Sequence, residues 1–63
     1  MHKARATRTA QLWDVVDLKP TGTLHKGTVV DIIRKSPKFD HVVILHEGKV
    51  HSVYKHHLEL MQA

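Results

Sequence analysis

The stretch HVVILHEGKVHSVY, from His41 to Tyr54, constrains the fold more than any other part of the chain. Two runs rich in β-branched and aromatic residues flank Glu47-Gly48, and an X-Gly pair in that setting signals a tight hairpin. Two registers are open. A two-residue turn sets Leu45 opposite Val50 and Ile44 opposite His51. A type I turn with Gly48 in a bulge instead pairs Leu45 with Lys49 and Ile44 with Val50. The bulged form is the expected one, because glutamate is poorly suited to a position that needs φ > 0. That register places Val42, Ile44, Val50, Ser52 and Tyr54 on one face, with Val43, Leu45, His51 and Val53 on the other. The run Val42 to Leu45 is apolar on both faces, whereas a strand with one wet face alternates. Either the N-terminal segment 12–18 covers the second face, or that face is open to a partner or a second copy. In the open case Val43 and Leu45 form the centre of a protein interface, and a homodimer is one outcome.

The rest of the chain repeats the extended signature. HKGTVVDIIRK holds Thr28, Val29, Val30, Ile32 and Ile33 behind Gly27, which favours a strand. SPKFD reads as a loop, since Pro37 prevents a central strand from continuing through it. LWDVVDL is ambiguous between a strand and a helical turn capped by Thr9, and KPTGT reads as a turn with Pro20 and Gly22. After Tyr54, a single turn at Lys55–His57 and a short closing strand, Leu58–Met61, fit the length. A short helix over 54–61 is the alternative, with Tyr54 and Leu58 at i and i+4. Residues 1–11, with Lys3, Arg5 and Arg8 and no acid, read as a flexible basic arm ahead of a single domain over 12–63.

With 63 residues and no cysteine, the chain has one marginal core and neither disulfides nor thiolate metal sites. The lack of cysteine fits a cytoplasmic protein. No apolar run approaches the roughly 18 residues of a membrane span, so no membrane partner is expected.

Leu24 to Leu60 resembles SH3-like small barrels, including the photosystem I subunit that docks ferredoxin. Within it, HKGTVVDII is similar to the end of the KOW motif of ribosomal proteins and transcription elongation factors. The resemblance implies an all-β fold, a five-stranded SH3-like barrel, and a role in binding nucleic acid or protein.

Ten Lys and Arg against six acids give a formal charge of +4, as suits a protein that meets phosphates or acidic partners. Lys3, Arg5 and Arg8 in the arm, Lys26, Arg34, Lys35 and Lys38 mid-chain, and Lys49 and Lys55 are the candidate phosphate contacts. Among the aromatics, Trp13 and Tyr54 are expected in the core, which leaves Phe39 in its loop for contact with a base. His41, His46 and His51 could converge across the hairpin beside Glu47, but their spacing matches no zinc pattern, so neither metal nor cofactor is expected. The six acids show no paired-carboxylate motif, no serine sits in a nucleophile elbow, and no glycine loop cradles phosphate. The expected class is therefore a non-enzymatic nucleic-acid-binding module acting through cationic loops and arm. The alternative is a docking adaptor, a small regulator of phage or plasmid type, that binds a larger acidic protein through residues 41–54.

Overall fold

Extended backbone dominates, as the β-branched runs require. The computed structural model describes residues 2–36 and 40–61. It contains β1 (His2–Ala6), β2 (Ala10–Trp13), β3 (Pro20–Leu24), β4 (Val29–Lys35), β5 (His41–His46), β6 (Lys49–Tyr54) and β7 (Leu58–Leu60). A single 3-10 turn, Lys55–His57, precedes β7, as the turn-then-strand reading anticipates. All pairings are antiparallel and join the strands into one sheet in the order β3-β2-β6-β5-β4-β1-β7. The fold is all-β, as expected. It has seven strands among the described residues rather than five, and the sheet is open, with β3 and β7 as its edges.

The two additional strands come from segments that look unstructured in sequence. Residues expected as a flexible arm form β1, which pairs with β4 on one side and β7 on the other. The reason is a period-two pattern hidden under the charge: Ala4 and Ala6 are fully buried, while Lys3 and Arg5 alternate outward. Alanine is small enough to let the strand lie directly over the core. Most of KPTGT, expected as a turn, lies in β3, which pairs with β2 so that Leu24 meets Ala10. Between them 14–19 is neither strand nor helix. Asp14 Oδ2 accepts hydrogen bonds from the backbone N–H of Val16 (2.9 Å) and Asp17 (2.7 Å), and Leu18 reverses the chain at φ 55°.

The central hairpin takes the two-residue register, not the bulged one. Leu45 faces Val50, Ile44 faces His51 and His46 faces Lys49. Glu47 accordingly adopts φ 52° and Gly48 φ 76°, the all-positive geometry whose twist matches that of the flanking strands. The strain on Glu47 accompanies a choice of which residues of β6 face the core. In this register Val53 joins Val42 and Ile44 in the core, whereas Val50 stays 49% exposed. Each strand from β1 to β6 contributes to that core, through Ala6, Ala10, Leu12, Leu24, Val30, Val42, Ile44 and Val53. A bulge at Ile33 in β4 shifts the register against β5, leaving Ile33 half-exposed and placing Arg34 opposite Val43.

Val43 is fully buried and so offers no surface at the centre of the expected interface, whereas Leu45 is only half-buried. The second face of β5 is covered within the chain at Val43 and at its neighbour Ser52.

Two measurements test this architecture. Removing residues 2–6 should collapse the dispersed amide spectrum, which loss of a flexible arm would leave unchanged. Glu47→Asn should raise stability by about 1 kcal/mol, read as a higher denaturation midpoint with an unchanged m-value, because asparagine tolerates left-handed backbone.

Candidate functional site

The cations fall into separate groups. Lys3 lies on the outward face of β1 and donates to Asp31 Oδ1 at 2.8 Å. Arg5 is on the same face, in register with Glu59 and Val29. Lys49 sits at the hairpin tip, at the far end of β6 from Tyr54, about 17 Å away at the usual rise per residue. Lys38 and Phe39 lie outside the described residues.

Arg8, Lys26 and Lys55 lie on segments that meet around residues 6–8. Thr7 donates from its backbone N–H (2.9 Å) and its hydroxyl (3.1 Å) to His57 O, and Gly27 N–H donates to Ala6 O at 2.8 Å. These bonds draw the turn before β4 and the 3-10 turn against residues 6–8, bringing Arg8 close enough to His57 to act on its charge. Lys55 follows Tyr54 directly and forms a 3.7 Å ion pair with Asp40.

Tyr54 ends β6 and directly precedes the 3-10 turn that carries Lys55 and His57. Contrary to the expected core position, the residue is 37% exposed. Three imidazoles surround it edge-on, with centroids 4.9 Å (His56), 5.1 Å (His57) and 6.1 Å (His41) away. Such T-shaped contacts orient the ring without burying it. His41 is itself anchored through Nδ1 to Ser52 Oγ at 2.8 Å. Trp13 is half-buried, in register with Ser52 on β6. Sequence reasoning missed Tyr54 because it is the last residue of β6, where the adjoining turn rather than the sheet decides exposure.

Arg34, Lys35 and Lys55 border a different feature, a groove of about 450 Å³ floored by Ile32, Val42, Leu58 and Leu60. A smaller cavity of about 230 Å³ lies near the hairpin tip, between Thr21, Gly22, His46 and His51. There the His46 and His51 rings are 6.4 Å apart, while His41 stands beside Tyr54 at the other end of the hairpin. Among the described residues no three metal-binding side chains converge.

Two histidines are held below their ordinary range. His51 is buried, with Nδ1 hydrogen-bonded to Thr21 Oγ1 at 2.9 Å. Desolvation depresses it most, His46 and Lys49 add to that, and Glu47 and Asp14 oppose it. His57 is lowered by desolvation, then by Arg8 and His56. Asp14 is also lowered, chiefly by the two backbone N–H groups it accepts from.

A histidine that prefers to be neutral when folded contributes stability above its unfolded pKa of about 6.5, and that contribution is lost as pH falls toward the depressed folded value. The denaturant midpoint should therefore drop between neutral and mildly acidic pH, and His51→Gln should make that dependence shallower. No helix among the described residues is long and apolar enough to cross a membrane. The chain matches no protein-family model, and neither a characterised protein nor a solved structure shows significant similarity to it.

Proposed function

We propose that the chain is a non-enzymatic binding module that holds single-stranded nucleic acid on the Tyr54 surface. The observation that carries this reading is a partly exposed tyrosine steadied by three imidazoles, with Lys55 next to it in the chain, Arg8 near the His57 that touches its ring, and Lys26 on a turn bonded to the same segment as Arg8. Stacking on an exposed aromatic, with phosphates running past nearby cations, is how sequence-tolerant single-strand binders work. Arg8 and Lys26 make no ion pair among the described residues, and Lys55 has only a long one. Exposed pairs of that kind are worth at most about 1 kcal/mol, so a phosphate can displace Asp40 from Lys55.

The scaffold reading that goes with this is an SH3-like small barrel in the cytoplasm. Three features support it: the β4-β5-β6 meander, the 3-10 turn before β7, and the return of β7 to β1. The hairpin β2-β3 is then an insertion between the first and second barrel strands. Docking through the 41–54 hairpin is less favoured, since Val43 offers a partner no surface.

Fluorescence anisotropy with a short labelled single-stranded oligonucleotide tests the proposal. Tyr54→Ala should weaken binding by about 5- to 150-fold, the equivalent of roughly 1–3 kcal/mol of stacking. Arg8→Ala should flatten the dependence of log Kd on log salt by about 0.7. Absence of binding at low salt, or indifference to both substitutions, overturns it.

A further inference from the structure

The groove beside β7 has a chemistry of its own, distinct from that of the Tyr54 surface. Its lining is mainly branched aliphatic, with Ile32, Val42, Leu58 and Leu60, and His2 is the one ring that reaches it among the described residues. Its rim is cationic, and Arg34 and Lys35 have no ion-pair partner among the described residues. Leu60 is 65% exposed, an unusual state for a leucine whose β-sheet partner, Ala4, is fully buried.

Backbone groups complete the site. β7 is an edge strand. Met61 N–H donates to Lys3 O and Thr7 N–H donates to His57 O, both at 2.9 Å, so odd-numbered residues of this segment face β1. Leu58 and Leu60 therefore turn their backbone groups away from the sheet. Leu58 N–H is taken by Lys55 O. The Leu58 carbonyl and both backbone groups of Leu60 are left pointing outward, next to the groove.

We infer that this edge accepts an extended, acidic segment of a partner protein as an eighth strand. Main-chain hydrogen bonds to Leu58 and Leu60 supply the pairing, and alternate side chains supply the selectivity. Every second residue of the incoming strand drops toward Ile32 and Val42 and must be aliphatic. The flanking residues meet Arg34, Lys35 and Lys55 and must be carboxylates. A second copy of this chain is the poorer occupant, because a net charge of +4 and a cationic rim would face their like.

The probe is a capped peptide alternating glutamate and valine, titrated into the full chain and followed by backbone amide shifts. Its lysine–valine counterpart is the control. Shifts should concentrate on Ile33, Arg34, Val42 and 58–61, and Leu60 N–H should gain protection from hydrogen exchange. Arg34→Glu with Lys35→Glu should weaken binding by about tenfold or more. Leu60→Pro should abolish binding without unfolding the chain, because it deletes only an outward-facing N–H at a sheet edge, where proline is tolerated. Equal binding of the lysine peptide overturns the inference, as does an absence of shifts at millimolar peptide. So does displacement of the same amides by a single-stranded oligonucleotide, or by self-association seen in sedimentation.

Discussion

The two-residue reversal at Glu47-Gly48 governs the rest of the molecule. Side chains on a strand alternate with period two, so a slip of one residue in the β5-β6 ladder would exchange its inner and outer faces. Holding Glu47 in the left-handed region costs roughly 1–2 kcal/mol. Full burial of one valine is worth about 1.5–3 kcal/mol, and the observed register buries Val53 against Val42 and Ile44. The register that holds Glu47 left-handed is the one in which Val53, and not Val50, fills the core. The same register sets Tyr54 opposite His41, whose ring meets it edge-on.

Only part of this was legible in the sequence. The β-branched density of 28–33 and 41–54 identified β4, β5 and β6, and the length after Tyr54 identified the 3-10 turn and β7. The hairpin register was misjudged because a rule about one residue, glutamate at φ > 0, competes with the packing of several distant ones. β1 was hidden for a different reason. Ala4 and Ala6 carry so little hydrophobic signal that the neighbouring cations dominate the reading, yet against β4 and β7 alanine is the size that fits. Pro20 and Gly22 read as turn formers, but β3 is an edge, where a missing N–H does no harm.

The candidate sites were less legible still, because charge is a property of composition until the fold distributes it. Lys3 is committed to Asp31, Arg5 faces Glu59, and Lys49 is stranded at the hairpin tip. The segments that carry Arg8 and Lys55 are joined by hydrogen bonds between residues fifty positions apart, from Thr7 to His57. Nothing in the local sequence announces those bonds. The histidines behave similarly: adjacent His56 and His57 both reach Tyr54 because they sit in a turn rather than on a strand.

The place of β1 in the sheet has a kinetic consequence. It is clasped between β4 and β7, strands that lie far from it in the chain, and β7 is the farther by about thirty positions. Loop closure over such distances is slow, so the ladder that completes the sheet is among the last to zip. Until Leu58–Leu60 arrives, the nascent strand has one bare flank over an alanine-thin layer of core. A polypeptide halted short of that point would carry an adhesive edge, and two such fragments would tend to join each other before either could finish alone.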